Sequence, residues 1–212
     1  GDSVIWLSKD QGGTWAIPGS RDGRPRVKGT HAGVVQLDNG RLMGLGRGGE
    51  IEGMMPMSIS DDMGMTWNYK PSPFQPIGAG QRLVFLKLKE GALFLASFAS
   101  KPLMIKDSSG QQRPVVGLYS AVSLDDGTTW ANVRLISDDG NGSGIETIGG
   151  GLISLDATNS EQMGYLAVCQ AQNGIIHLVS SRQHYSFNLK WLMTPAPAIP
   201  KMPVTKNLHV RK

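Results

Sequence analysis

The chain has 212 residues, a formal net charge of +4, 40% hydrophobic residues and 18% charged residues. This hydrophobic content is enough for a packed core and excludes wholesale disorder. No apolar run reaches the roughly 18 residues of a membrane span, so no span is expected. The sequence contains no run of Lys and Arg interleaved with aromatic residues, so it gives no indication of binding to nucleic acid. The mild positive charge indicates either an ordinary, mildly basic surface or a bias towards anionic ligands such as acidic sugars.

The 28 glycines, which separate short apolar runs, predict many turns and an all-β fold. The one cysteine, Cys169, lies in an apolar run at 165–169, so we expect a buried thiol and no internal disulfide. The four histidines lack a metal-ligand spacing, and no phosphate- or dinucleotide-binding motif occurs. The sequence therefore predicts neither a metal nor a cofactor.

One motif, S-x-D-x-G-x-T-W, occurs three times, at residues 8–15, 60–67 and 123–130. We expect its Asp to accept hydrogen bonds from backbone N–H groups of its own turn, and its Gly to adopt a positive φ. The Trp is expected to be largely buried against neighbouring strands. The motif is therefore interpreted as a structural turn, and its Asp as non-catalytic.

Alternating apolar segments between the motifs predict antiparallel sheets of four strands. Segment 187–191 keeps a Trp without the Asp and is interpreted as a degenerate copy of the motif. Residues 193–212 are rich in proline, which excludes them from a central strand and predicts a C-terminal strap or tail. The predicted strands are 33–37, 41–45, 55–60, 82–88, 91–98, 115–123, 150–155, 164–170 and 175–181.

The repeated motif resembles the Asp box of the bacterial neuraminidase repeat, and residues 1–192 resemble the sialidase superfamily. This resemblance implies a six-bladed sialidase-type β-propeller, of which only about three to four blades are present. An open propeller exposes strand edges. We therefore expect missing N-terminal blades or a second chain to complete the ring. The resemblance also implies a secreted or periplasmic protein.

The resemblance further implies an exo-acting glycoside hydrolase that releases a terminal, acidic sugar from a glycan. The alternatives are a non-catalytic carbohydrate-binding or interaction propeller, and a propeller glycosidase or lyase with another substrate. Sialidases hold the sugar carboxylate with three arginines, whose planar guanidinium groups match it. They use a Tyr nucleophile, activated by a Glu, with an Asp as acid/base. The resemblance assigns the first arginine and this Asp to the absent blades.

Catalytic residues are carried over where this chain matches the family pattern. The segment from His31 to Arg47 matches the pattern that contains the second arginine, so Arg47 is expected to bind the carboxylate. His31 then occupies the position of the activating Glu and can act as a base, with Glu50 close in sequence as another candidate. Tyr165 stands at the place of the nucleophile.

The remaining predicted substrate ligands lie later in the chain. Arg113 is assigned to the third arginine, with Arg82 and Arg182 as alternatives. The stretch 177–188 is dense in polar and aromatic groups, which suit stacking on a sugar ring and binding of its acidic group. We therefore expect Arg182, His184 and Tyr185 to contact the sugar.

Overall fold

The computed structural model describes residues 1–19, 25–138 and 141–199. The predicted all-β fold is confirmed, because these residues form multiple antiparallel sheets and almost no helix. The sheets within these ranges do not close into a ring. No helix among the same residues is long and apolar enough to cross a membrane.

The first four-stranded sheet has the order β3-β4-β5-β6, so strands that follow one another in the chain are antiparallel neighbours. A two-stranded sheet of β1 and β2 precedes it. Three of these strands, β3, β4 and β5, match predicted strands and arise from short apolar runs separated by glycine-containing turns, whereas β6 was not predicted. The bounds are β1 Ser3–Val4, β2 Arg26–Val27, β3 Thr30–Gln36, β4 Leu42–Arg47, β5 Pro56–Ser60 and β6 Asn68–Pro71.

The second four-stranded sheet repeats this arrangement with the order β8-β9-β10-β11. Its two central strands are longer than the sequence predicts, and they extend beyond the sheet as a hairpin around residues 100–115. A short strand, β7, precedes this sheet. The bounds are β7 Gln81–Arg82, β8 Val84–Lys87, β9 Leu93–Lys106, β10 Gln112–Ser123 and β11 Ala131–Leu135.

The C-terminal part contains a two-stranded hairpin, β12–β13, and a three-stranded sheet, β15-β16-β17. Strand β14 pairs in parallel with β7, which directly precedes the second four-stranded sheet in the chain. The predicted strand at 150–155 belongs to the hairpin β12–β13 and not to the three-stranded sheet, which we call the third sheet. The bounds are β12 Asn141–Glu146, β13 Leu152–Asp156, β14 Gly164–Tyr165, β15 Ala167–Gln170, β16 Ile176–Val179 and β17 His184–Phe187.

The interpretation of 187–191 as a degenerate motif is wrong. Asn188 caps a short helix, α1 (Leu189–Met193), and its side chain accepts a hydrogen bond from the backbone N–H of Trp191. An Asn at this position favours a helix start, because it satisfies a backbone donor that the first turn leaves unpaired. The Trp that suggested the motif packs instead on Phe187, with ring centroids 5.2 Å apart.

The hydrophobic core lies between the sheets. Fully buried side chains of neighbouring strands, such as Leu45, Phe94 and Leu118, belong to one cluster. The first two sheets approach so closely that a Cβ atom on Gly33 of β3 would lie 2.7 Å from the Cβ of Phe85 on β8. Glycine is therefore required at this contact between the innermost strands.

The three motifs form the same hydrogen-bonded turn. In the second, the Asp62 carboxylate accepts bonds from the backbone N–H of Thr66, at 2.8 Å, and from the Thr66 hydroxyl, at 2.6 Å. The Ser60 hydroxyl donates to the same carboxylate and accepts from the N–H of Gly64, whose φ is 84°. The hydrogen bonds from Thr66 lower the pKa of Asp62. The structural interpretation of the motif is confirmed.

The three motif tryptophans are not equivalent, which corrects our expectation. Trp67 is only 9% exposed and belongs to a cluster with Val27 and Leu42. Trp130 is partly buried, and its ring contacts two phenylalanines. Trp15 is 59% exposed, because its hairpin consists of a single Leu7–Ala16 bridge outside the larger sheets.

The prediction of a buried cysteine is also wrong. Cys169 is exposed, since β15 alternates and only the opposite face of its sheet, which carries Leu178, packs on the core. The start of the predicted strap runs along the long hairpin. There the N–H of Ser108 donates to the Ala196 carbonyl at 2.8 Å. Residues 200–212 of this segment lie outside the described residues.

Candidate functional site

The motif turns and the predicted site residues lie at opposite ends of the sheets. Ser60, which opens the second motif, pairs with Leu42 at the start of β4, whereas Arg47 ends the same strand and pairs with Thr30. Residues 31, 81–82 and 165 belong to the same end as Arg47, as the contacts between them show. Strand ends from several sheets thus converge away from the motifs.

At this end His31, Arg47 and Tyr165 come together, and we call them the Tyr165 cluster. The Nη1 of Arg47 donates to the Tyr165 hydroxyl at 3.4 Å, and its Cζ lies 5.9 Å from the centre of the Tyr165 ring. The His31 ring is tilted against that of Tyr165, with centroids 5.5 Å apart. The cluster is open to solvent, because Tyr165 is 45% exposed and His31 is also exposed.

Local backbone geometry sets the position of His31. It has φ of 52°, and the pairing of β3 with β4 is interrupted by a bulge between Thr30 and Gly33. A positive φ is uncommon and strained for a residue with a side chain, and such strain concentrates at functional sites. Bulges re-aim side chains next to such sites. Here the bulge permits His31 to reach the ring of Tyr165.

Gln81, which the sequence analysis missed, ties the surrounding loops together. It is 6% exposed, and its backbone carbonyl accepts a hydrogen bond from Arg47 Nη1 at 2.9 Å. Its side-chain amide donates to the Gln162 carbonyl at 2.8 Å and accepts from the N–H of Gly78. A glycine-containing stretch directly before a strand was the only signal in the sequence. Gln81 therefore positions Arg47 relative to the segment that leads to Tyr165.

Of the arginines considered for the third position, Arg82 adjoins the cluster. It is the register partner of Tyr165 in the parallel β7–β14 pair, so both side chains lie on one face of that pair. Arg113 does not join the cluster. Its buried guanidinium donates to the carbonyls of Ala157 and Pro197 and lies 3.5 Å from an Asp107 carboxylate oxygen. Arg113 thus holds the start of the strap.

Arg182 follows Ser181, which contacts the cluster, and Tyr185 binds a buried carboxylate. The N–H of Tyr165 donates to the hydroxyl of Ser181, which precedes Arg182 in the chain. The Tyr185 hydroxyl donates to Glu161 at 2.5 Å. Burial, and then this hydrogen bond, raise the pKa of Tyr185 well above its usual range. Glu161 is 3% exposed, and no sequence pattern marked it.

The other two predicted residues contact neither His31 nor Tyr165. His184 lies on the exposed face of the third sheet, where its Nε2 is 3.1 Å from His177 Nδ1 and the two rings stack. Glu50 is exposed in the loop after β4. Within the described ranges, no group of three His, Cys, Asp or Glu residues could hold a metal ion.

Comparison with known proteins supports the fold alone. The chain matches no family model and no curated protein. It is similar to a protein of unknown function from Dyadobacter fermentans, with a TM-score of 0.50 and 16% identity over 87% of this chain and 44% of that one. It also aligns with a mannose phosphorylase from Leishmania mexicana, with a TM-score of 0.39 and 13% identity over 84% and 60% of the two chains. The chain therefore spans about half the length of these structures.

Proposed function

We propose that this chain is part of a sialidase-type β-propeller and that it releases terminal acidic sugars from glycans by hydrolysis. The observation that carries the proposal is the contact between the Arg47 guanidinium and the Tyr165 hydroxyl at an open end of the sheets. The repeated four-stranded sheets and the three identical turns support the architecture. In such a propeller the inner strand ends would meet around a central axis.

The arginines of the site suit a carboxylate. Arg47 uses only Nη1 in its described hydrogen bonds, so its Nε and Nη2 remain for a ligand. Arg82 is exposed beside Tyr165 and makes no side-chain hydrogen bond with a described residue. Guanidinium groups bind carboxylates through paired, charge-assisted hydrogen bonds. The two arginines would therefore orient an acidic sugar over the ring of Tyr165.

In the proposed reaction the Tyr165 oxygen attacks the anomeric carbon while the glycosidic bond breaks. His31 is the base in contact with Tyr165 and takes the phenol proton. The leaving alcohol receives a proton from an acid that the family resemblance assigns to preceding blades. Water then hydrolyses the Tyr–sugar bond and restores the enzyme. This use of a Tyr nucleophile departs from the usual pair of carboxylates.

A non-catalytic sugar-binding propeller is the second candidate. One observation favours it. Sialidases pair the nucleophilic Tyr with a Glu, whereas no carboxylate of a described residue hydrogen-bonds to Tyr165. In this case the same arginines would bind the acidic sugar without turnover.

Hydrolysis and binding assays on matched variants test both candidates. Arg47→Ala should weaken binding of an acidic monosaccharide about 10- to 150-fold for each lost charge-assisted bond, and binding of its neutral amide much less. Arg41→Ala is the control, because Arg41 is exposed at the motif end and pairs with Asp61. Tyr165→Phe should abolish hydrolysis and retain binding.

Each outcome discriminates between the candidates. If the wild-type protein binds the acidic sugar selectively but hydrolyses no aryl glycoside, the non-catalytic binding propeller replaces the hydrolase as the supported function. Equal affinity for the acidic sugar and its amide would refute the role assigned to Arg47 in both candidate functions.

A further inference from the structure

A polar cavity adjoins the Tyr165 cluster. It has a volume of about 310 Å³ and lies between the hairpin β12–β13 and segment 159–163. Both Glu161 and Arg182 line it, together with Asn159 and Gln162. This volume is at the small end of the range for ligand sites, which is about 300–1,000 Å³. We call it the Glu161 cavity.

The carboxylate of Glu161 is not saturated by protein donors. It is 3% exposed and receives hydrogen bonds from the hydroxyls of Ser180 and Tyr185. Each hydroxyl has one hydrogen, whereas a carboxylate has about four acceptor sites. Within the described part of the chain, no Lys, Arg or His forms an ion pair with it. A buried carboxylate with spare acceptor sites is costly unless a further donor reaches it.

Arg182 provides the complementary group on the wall of the same cavity. Its backbone is held at both ends, by Ser180 Oγ and by the N–H of Ile148. Its guanidinium makes no hydrogen bond or ion pair with a described residue, and it is not paired with Glu161. Glu161 and Arg182 therefore line one cavity without bonding to each other. A ligand that both donates and accepts hydrogen bonds, such as a polyhydroxylated ring, would satisfy both.

The cavity is connected to the Tyr165 cluster through two short links. Gln162 lines the cavity, and its carbonyl accepts the hydrogen bond from Gln81, whose own carbonyl binds Arg47. On the other side, Ser181 precedes Arg182 and binds the N–H of Tyr165. Two sides of the cavity are therefore bonded to segments that carry the Tyr165 cluster.

We propose that the Glu161 cavity is a second sugar subsite, which binds a neutral sugar through its hydroxyl groups. Given the proposed function, on which this assignment rests, the occupant is the sugar to which the terminal acidic sugar is attached. Glu161 accepts hydrogen bonds from neighbouring hydroxyls, and Arg182 donates to hydroxyl or ring oxygens.

Titration of the protein with a panel of neutral methyl hexopyranosides, followed by NMR, tests the subsite without requiring turnover. We expect at least one hexoside to bind at millimolar concentration, Glu161→Gln to weaken its binding about tenfold or more, and Arg182→Ala to weaken it as well. Glu146→Gln is the matched control, because Glu146 is exposed on the adjoining hairpin. Binding of the acidic monosaccharide should change less than twofold in Glu161→Gln and in Glu146→Gln. A thermal melt of each variant checks its fold.

The results separate this proposal from the proposed function. Loss of hexoside binding in Glu161→Gln supports the subsite, even if the acidic sugar fails to bind and the proposed function falls. No hexoside binding to the wild type, or equal binding to wild type and Glu161→Gln, overturns the subsite. If Glu161→Gln does not fold, Arg182→Ala decides, since its side chain has no described protein partner, and unchanged binding in that variant overturns the proposal.

Discussion

Replacement of Trp67 by Ala should destabilise the fold much more than the same replacement of Trp15, although both occupy the last position of the same motif. Trp67 is 9% exposed and contacts Val27 and Leu42, which link the small N-terminal sheet to the first large sheet. Trp15 is 59% exposed. The motif turn itself is alike in both places, so the comparison isolates the packing of the ring.

The magnitude follows from the buried area. A large aromatic side chain buries about 150–250 Å² in a core, and nine-tenths of this at about 25 cal/mol per Å² amounts to about 3–6 kcal/mol. Compactness of the unfolded chain reduces the figure, which leaves about 3–5 kcal/mol for Trp67→Ala. The same reasoning gives about 1–2 kcal/mol for Trp15→Ala. Trp67→Phe should cost less than Trp67→Ala, because the Trp67 Nε1 is buried without a partner and its removal relieves that defect.

Urea denaturation followed by far-UV circular dichroism measures these differences without depending on tryptophan fluorescence. The free energies of unfolding of the wild type and of the Trp15→Ala, Trp67→Ala and Trp67→Phe variants are compared at constant pH. Equal losses for the two alanine variants would refute the reasoning. They would show that the motif acts through its turn and that burial of the ring contributes little.

Three further predictions follow from the geometry. Because hydrogen bonds in the turn lower the pKa of Asp62, its contribution to stability is complete above the unfolded value near 4 and is lost as the pH falls through the folded value. The difference in urea midpoint between the wild type and Asp62→Asn should therefore shrink as the pH falls below about 4 and vanish below the folded pKa of Asp62. Gly33→Ala should lower the free energy of unfolding by about 1–3 kcal/mol through overpacking. Gly149→Ala, in open space, should change it by about 0.5 kcal/mol or less, and equal effects would argue against the close contact. His31→Gly should abolish hydrolysis of the acidic glycoside without loss of thermal stability, since glycine relieves the strain at φ 52°. A lower melting temperature would contradict this.

The features that were predicted correctly from the sequence are those that depend on a few neighbouring residues. The motif turns are an example, because the hydrogen bonds of Asp62 go to groups four residues away. Burial was predicted less well. The apolar run around Cys169 gave no indication of which face of its strand would be covered, and the helix after Asn188 depended on a cap that the neighbouring Trp obscured.

The sequence by itself determined the all-β class and the repeated turns, because hydrophobic alternation and turn chemistry act within about ten residues. Only the tertiary structure decided which distant groups meet. Tyr165 and Arg47, which are 118 residues apart in the chain, are joined by a hydrogen bond, and Glu161 lines the same cavity as Arg182. Such contacts depend on how closely the sheets pack and where each strand ends, and a single sequence does not encode these distances in any local pattern.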